Sequence, residues 1–293
     1  MLAVAFDGGG PRRHRMVTLS FFALAGALVT LLGNGTGNSV WGSTAVIFVV
    51  TLVCGLMLAY GPQTGKMAFM INLWMMVALS LSTALYAPVN LALGFFAGAG
   101  SVALLLLWLK TGPAPAGDTT LHWSLNPLRT HLNFHSPIMQ FALSRALTAA
   151  FAMWLGWQLA LAHPFWIAMT FLIVIVPDRE LAARTSWQRG IGTVIGVAAG
   201  AVVLGFQPDP VTLLLLWLLV TLVMLAVQGV NYVLYASVLT LNLILFYQLL
   251  EVDVLFSGLE RLFTTLLGIA CALGIIVLLG YLAGRSSVKP AAG

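Results

Sequence analysis

Charged side chains are scarce in this sequence. Asp, Glu, Lys and Arg make up 7% of its 293 residues, whereas hydrophobic residues make up 60% and the mean hydropathy is +1.01. A soluble domain carries about 25% charged residues, and so few charges do not cover a surface that faces water. We therefore expect the lipid bilayer to be the solvent for most of the protein surface.

Cysteine and the common catalytic motifs are also scarce or absent. The two cysteines, Cys54 and Cys271, lie in apolar stretches, which excludes a disulfide framework. The sequence contains no Walker lysine loop, no dinucleotide fingerprint and no catalytic-triad pattern. His131 and His135 have helical i, i+4 spacing but no acidic residue or cysteine beside them, so no metal site is expected. We expect neither a cofactor nor enzyme activity.

Apolar stretches take up most of the chain, and they lack the strict alternation of membrane β-strands. A helix crosses a bilayer with ~17–25 mostly apolar residues. We predict an all-α polytopic membrane protein with about ten transmembrane helices. These helices are predicted at residues 16–32, 40–60, 67–87, 89–109, 138–161, 163–177, 190–206, 210–228, 231–250 and 260–284.

The net charge of +5 comes from basic residues in short segments between these stretches. Because they do not form one patch, nucleic acid is not an expected partner. If the segment around Arg12 is cytoplasmic, eleven of the thirteen Lys and Arg residues fall on the cytoplasmic side. Arg145 lies within a span and Arg261 at an outer helix end. The positive-inside rule therefore predicts that both chain ends are cytoplasmic, N-in and C-in.

Pro and Gly residues mark a linker that divides the chain. We predict a first transmembrane half of four helices at 1–109, a cytoplasmic linker at 110–137, a second half of six helices at 138–284 and a cytoplasmic tail at 285–293. The two halves therefore contain four and six helices.

The two halves are predicted to be related. When Arg15 is aligned with Arg189, the residues around Gly26 match those around Gly200. After a small shift, the stretch 50–53 (VTLV) is identical to 220–223. Such matches indicate a parallel repeat, as in some transporters. The first half then lacks its opening pair of helices, and residues 1–7 are interpreted as the end of the missing second helix.

Arg145 lies inside the predicted helix 138–161. Its guanidinium does not become neutral by losing a proton, and an ionisable group at this depth is a candidate functional residue. Two interpretations are open. Either the side chain snorkels to the inner headgroups, or it binds the anionic group of a substrate.

A pattern Arg-x3-Thr-x2-Gly occurs twice and places its three residues on one helix face. The copies are Arg189, Thr193 and Gly196, and Arg261, Thr265 and Gly268. Gly196 also belongs to a stripe of three glycines, with Gly192 and Gly200, that recur at every fourth residue. This spacing predicts close helix packing. The motif serves packing in one interpretation; in the other, Arg189 and Arg261 attract an anion that the threonine hydroxyls orient. The predicted topology places the copies at opposite membrane faces.

Two segments are candidate gates. His163 and Trp166 open the predicted helix 163–177 at the outer face, where tryptophan is typical of the interfacial aromatic belt. Asp178 and Arg179 follow the same helix at the cytoplasmic mouth. The alternatives are a solvated interfacial histidine and a solvated loop with surface ion pairs.

The order of several motifs resembles the fusaric acid resistance protein-like family, also called the aromatic acid exporter family. The resemblance covers most of 135–284 and is weak over 1–109. It is carried by the motifs His135-Ser136-Pro137, Phe141-Ala142-Leu143-Ser144-Arg145-Ala146, His163-Pro164-Phe165-Trp166, Pro177-Asp178, the stretch from Arg189 to Gly196, and Arg261 with Thr265 and Gly268.

The resemblance implies a bacterial inner-membrane efflux transporter for aromatic or other organic anions, driven by an ion gradient or by protons. Arg145 would bind the anionic group, while Arg189 and Arg261 would attract it at either end. The family architecture has two six-helix halves and a sizeable cytoplasmic domain, for which the linker here is too short. An anion channel and a non-transporting scaffold or assembly subunit remain alternatives. Whether the chain works alone, with a periplasmic adaptor protein or as a homo-oligomer stays open.

Overall fold

The computed structural model describes residues 12–80, 88–108, 126–175, 179–227, 229–249 and 254–286. These residues form helices and connecting turns, and no strand occurs among them. The helices are α1 (Arg12–Thr36), α2 (Val40–Leu56), α3 (Pro62–Ser80), α4 (Pro88–Trp108), α5 (Asn126–His131), α6 (Pro137–Gln158), α7 (Phe165–Val174), α8 (Arg179–Gly205), α9 (Pro210–Val227), α10 (Tyr232–Leu249) and α11 (Val254–Ser286). A 3-10 turn at Met57–Tyr60 follows α2.

The chain is an all-α polytopic membrane protein, as predicted. Within the described ranges, seven helices are long and apolar enough to cross a bilayer, and α7 and part of α4 are shorter apolar helices. Each of the ten predicted segments contains a helix, and the short α5 lies in the predicted linker. Residues 81–87 of the predicted third helix, and most of the linker and tail, lie outside the described residues. The count of ten spans and the N-in, C-in topology stay predictions.

Several helices begin at a polar side chain that accepts a hydrogen bond from the first turn, where backbone N–H groups lack helical partners. Ser39 accepts from the amide of Gly42 at the start of α2. Asp209 precedes α9 and accepts from two amides and from the hydroxyl of Thr212. These hydrogen bonds, chiefly that of the Thr212 hydroxyl, hold the pKa of the Asp209 carboxyl below its ordinary value.

The starts of α8 and α11 differ from the prediction in a way that matters for the site. We predicted helices from residues 190 and 260, whereas α8 begins at Arg179 and α11 at Val254. Arg189 and Arg261 therefore lie well inside helices and are buried, as is Glu260. Hydropathy reports where a helix becomes apolar, and the polar turns that precede this point escape it.

The chain forms two compact units, residues 1–169 and 170–293. In the first unit, α1 packs against α3 and α4, and α2 packs against α3 and α6. Side chains link these helices: Trp74 donates to Thr30, Thr51 to Asn72, and Trp157 to Ser43. The predicted division at residues 109, 137 and 284 follows other boundaries and stays a prediction.

The second unit packs its helices in the same order as α1 to α4. Its first helix, α8, lies against α10 and α11, and α9 lies against α10. The predicted packing stripe is confirmed, because side chains added at Gly192, Gly196 and Gly200 would each collide with α10. A common packing order is what a repeat requires, and the repeat itself stays a prediction.

Candidate functional site

The first copy of the motif lies on α8. Arg189 and Thr193 are fully buried, at 0% exposure. The glycines of the same helix bring α10 close enough to cover this face, since a Cβ on Gly196 would lie 2.5 Å from the carbonyl oxygen of Ser237. The close packing that glycine permits therefore places the guanidinium in the interior of the helix bundle.

The second copy lies on α11 and is buried in the same way. Arg261 is 2% exposed and Thr265 is 0% exposed. A charged side chain is almost never fully buried in a protein without a compensating group. Two such arginines in one unit are thus an unusual arrangement.

The two copies meet in an antiparallel arrangement. A side chain on Gly190 would contact Ile269, and one on Gly258 would contact Val197, so α8 and α11 run in opposite directions. Between these two contacts, Thr193 and Thr265 fall at about the same level. Each arginine lies about one turn from its own threonine, on opposite sides of this level.

Electrostatic contacts confirm that the arginines are neighbours. Arg189 and Arg261 lie close enough to repel one another. Tyr232 and Tyr235 on α10 interact electrostatically with Arg189, and Tyr247 interacts with Arg261. We refer to these five residues with Thr193 and Thr265 as the arginine cluster.

The two motif copies lie closer together than their predicted placement at opposite membrane faces implies, and that placement stays a prediction. Two charges at the two faces would be separated by the ~30 Å of the hydrocarbon core, where the coupling between Arg189 and Arg261 would be negligible. The burial of both arginines within α8 and α11 explains the difference. The side chains extend from antiparallel helices towards a shared level.

Within the described part of the chain, the cluster contains hydrogen-bond donors that lack partners. All three guanidinium nitrogens of Arg189 and the hydroxyls of Thr193 and Thr265 make no hydrogen bond there. The Tyr232 hydroxyl lies within electrostatic range of Arg189 without meeting hydrogen-bond geometry. Guanidinium groups have donors only, so the group that satisfies Arg189 is an acceptor, and an anion fits best.

A cavity of about 300 Å³ lies at the Arg261 end of these helices. Val197, Ile244 and Gly258 from three helices line it, together with the amide of Gln248. Its volume matches the smaller ligand pockets of proteins, ~300 Å³. It offers a small organic molecule space beside the motif on α11.

Arg145 lies in the first unit and is not part of the arginine cluster. It is 6% exposed, and its guanidinium carbon is 5.5 Å from the centre of the Phe69 ring. It also interacts electrostatically with Cys54. Its Nε and Nη2 atoms have no hydrogen-bond partner among the residues that the structure covers. Its predicted role in substrate binding stays a prediction.

The candidate gate residues are placed in part. The His163 ring stacks on Trp166 with centroids 4.2 Å apart, and Trp166 is buried, so it does not face outwards. Arg179 is the first residue of α8, and Asp178 lies outside the described residues. Their role in gating stays a prediction.

Sequence reasoning missed the tyrosines of the cluster. Tyr232 and Tyr235 are one helical turn apart, which could have suggested a shared face of α10. However, the sequence does not report which helices are neighbours in space. The interaction of Tyr247 with Arg261 on another helix carries no local sequence signal.

Comparison with known proteins relates part of the chain to a family. Residues 147–275 match the family described as fusaric acid resistance protein-like. The chain is similar to this family over these residues, which are less than half of its length. The match contains both copies of the motif and begins two residues after Arg145. No solved structure matches the chain.

Three curated relatives match about half of this chain. The uncharacterized protein slr1298 of Synechocystis sp. is 28% identical over 155 residues, which are 51% of this chain and 20% of the relative. Inner membrane protein YccS of Escherichia coli is 28% identical over 145 residues, 50% of this chain and 20% of the relative. The uncharacterized protein ORF2 of Neisseria gonorrhoeae is 27% identical over 145 residues, 50% of this chain and 35% of the relative. The match thus spans a fifth to about a third of each relative.

Proposed function

We propose that this chain is part of a bacterial inner-membrane efflux transporter for organic anions, aromatic carboxylates among them, and not an enzyme. The observation that carries the proposal is Arg189, fully buried in the second unit with none of its nitrogens hydrogen-bonded in the described residues. The similarity to an E. coli inner membrane protein supports the location. The proposal concerns the activity of a whole protein. The curated relatives contain sequence beyond the part that matches this chain.

An anion in the arginine cluster would relieve two costs at once. It would neutralise the repulsion between Arg189 and Arg261, and it would accept hydrogen bonds from a guanidinium that has lost its water. A buried charge without a partner costs several kcal/mol, whereas hydrogen bonds to charged groups contribute ~1.5–3 kcal/mol each. The hydroxyls of Thr193 and Thr265 would orient the carboxylate.

The driving force need not come from ATP. A membrane potential that is negative inside favours the exit of an anion by ~2.3 kcal/mol per charge for each 100 mV. The cluster would only need to lower the barrier that the apolar core raises against a carboxylate. A proton gradient would add to this force in a coupled mechanism.

The test is efflux of radiolabelled benzoate from proteoliposomes that contain the full chain. We expect Arg189→Gln to lower the initial efflux rate by at least about tenfold, since it removes a charge-assisted contact. Arg184→Gln is the matched control, because Arg184 is exposed on the same helix and the charge change is the same. Its rate should stay within about twofold of wild type.

Unchanged efflux in folded Arg189→Gln protein would remove the arginine cluster from transport. The same vesicles separate the rival mechanisms. Saturable flux that follows an imposed pH gradient indicates a coupled transporter, whereas an ohmic current in a planar bilayer indicates an anion channel. No flux of benzoate in either assay, together with recovery of a stoichiometric partner, indicates a scaffold subunit.

A further inference from the structure

The first unit contains an apolar cavity of about 250 Å³ that the arginine cluster does not involve. It lies among α1, α2 and α3, and among the described residues its lining surface is apolar. Its walls include Ala25 and Leu28 of α1, Val50 and Cys54 of α2, and Met67 and Ala68 of α3. Leu28 is largely exposed, so the cavity opens to the side, where lipid surrounds a membrane protein.

Arg145 does not line this cavity but interacts with a residue of its wall. Cys54, which lines the cavity, interacts electrostatically with the guanidinium. Phe69, the neighbour of the lining residue Ala68, carries the ring against which the guanidinium lies, at 5.5 Å. Ala142, one turn before Arg145, packs on Gly55 so closely that a Cβ there would lie 2.7 Å from it. The cation is therefore held at the α2–α6 contact, at the Cys54 end of the cavity.

The guanidinium needs an acceptor that the described residues do not supply. Its Nε and Nη2 atoms are buried without hydrogen-bond partners. The thiol of Cys54 is a weak acceptor, and the face of Phe69 offers a cation–π contact that leaves the N–H groups unsatisfied. Snorkelling to a headgroup is an inadequate account for a side chain that is 6% exposed.

We propose that the first unit binds an amphipathic anion, with its anionic head at Arg145 and its alkyl chain in the cavity among α1, α2 and α3. The combination of a desolvated cation and an adjoining apolar cavity that opens sideways fits this chemistry. An aromatic acid without a chain would leave most of the lining uncovered. A long-chain carboxylate and an anionic phospholipid share the required head and chain.

The test uses the full chain in nanodiscs of neutral phosphatidylcholine and follows the fluorescence of cis-parinaric acid, a long-chain carboxylate probe. We expect saturable binding to wild type. Arg145→Gln should weaken it by at least about tenfold, because the charge-assisted contact is lost. Ala25→Phe, which fills the cavity without touching Arg145, should weaken it comparably. Arg129→Gln removes an exposed arginine of the same unit and should leave binding unchanged.

Competitors identify the ligand class. Oleate and phosphatidylglycerol should displace the probe, and whichever does so at lower concentration is the better ligand. Oleyl alcohol, which lacks the charge, and acetate, which lacks the chain, should not. The proposal is overturned if Arg145→Gln and Ala25→Phe both bind like wild type, if oleyl alcohol competes as well as oleate, or if wild type shows no saturable binding. If Arg145→Gln does not fold, Ala25→Phe alone decides.

Discussion

Arg189 combines two properties that rarely occur in one residue, complete burial and a positively charged group. Without a bound anion, such a side chain destabilises the fold that contains it. Glu260 and Arg261, which are adjacent in sequence on α11, are also buried. A substitution of Arg189 therefore tests two effects of its charge separately: the loss of stability that burial causes, and the binding of an anion.

We predict that Arg189→Met stabilises the protein while it abolishes benzoate efflux. Methionine fills a similar volume without the desolvation cost, and replacing buried charges by apolar groups is often stabilising by ~1–4 kcal/mol. Thermal unfolding in detergent, without added anion, measures the change. Arg184→Met on the exposed side of the same helix should alter neither quantity. A lower unfolding temperature for Arg189→Met would show that the guanidinium has a structural partner.

Several properties of individual residues could be predicted from the sequence, and others could not. Repetition alone singled out Arg189 and Arg261 with their threonines. Their depth was misjudged, because both helices begin before their apolar stretches. Their closeness was missed, because it depends on the antiparallel contact of α8 with α11.

At the scale of helices, glycine determines how closely the elements of the second unit approach. A Cβ on Gly196 would lie 2.5 Å from the Ser237 carbonyl oxygen and 2.6 Å from the Thr240 Cβ. Nothing lies within 4 Å of the corresponding position at Gly274 on α11. The same substitution at the two sites should therefore have opposite effects.

We predict that Gly196→Ala destabilises the protein by ~1–3 kcal/mol, because α10 has to move away from α8. Gly274→Ala should instead stabilise it by up to ~1 kcal/mol, because alanine is the better helix former and meets no obstacle. Unfolding in mixed micelles by increasing SDS measures both. Equal effects at the two positions would contradict the close α8–α10 contact. Gly196→Ala should also lower efflux, since α10 carries Tyr232 and Tyr235.

In each unit, one hydrogen bond between a threonine and an asparagine links two neighbouring helices. Thr51 on α2 donates to Asn72 on α3, and Asn242 on α10 donates to Thr221 on α9. In both pairs the residues are 21 positions apart, and the matching stretches around Thr51 and Thr221 supported the predicted repeat. Asn72 and Asn242 can be read from the sequence, but one shared residue in apolar surroundings is weak evidence for a repeat. The hydrogen bond that each asparagine makes to a threonine shows that the two positions are equivalent in the structure.

For the whole molecule, the predicted topology depends on α7. Only ten residues of α7 are helical, about 15 Å at 1.5 Å per residue, half the hydrocarbon thickness. Its residues are nevertheless buried, from Phe165 to Leu172 with few exceptions. If this segment crosses the membrane, the α8–α9 turn lies outside; if it does not, that turn lies inside.

We predict that a cysteine at Gln207, in the exposed α8–α9 turn, reacts with a membrane-impermeant maleimide in intact spheroplasts. A cysteine at Arg129 should react only after permeabilisation. Both are placed in a background without Cys54 and Cys271. The positive-inside rule is the reason for this assignment. Protection of the Gln207 position in intact spheroplasts would mean that α7 does not complete a crossing.

The two units also differ in where their helices carry charged residues. They share a packing order and the Thr–Asn contact, yet α4, the counterpart of α11, has no charged residue at all. The composition predicted a membrane protein, and the apolar stretches located its helices, although α8 begins eleven residues and α11 six residues before the predicted start. Neither indicates that the arginines of the two motif copies are neighbours in the second unit.

If anions move through the arginine cluster as proposed, the antiparallel arrangement of the two motifs gives that movement no preferred direction. A carboxylate that arrives from either end encounters the groups in the same order: an arginine, a level with two hydroxyls, then the other arginine. Such a palindrome of side chains distinguishes anion from cation but not inward from outward. If the chain transports anions without coupling to protons, this symmetry predicts that reversing voltage and concentration in vesicles reverses the flux at an undiminished rate.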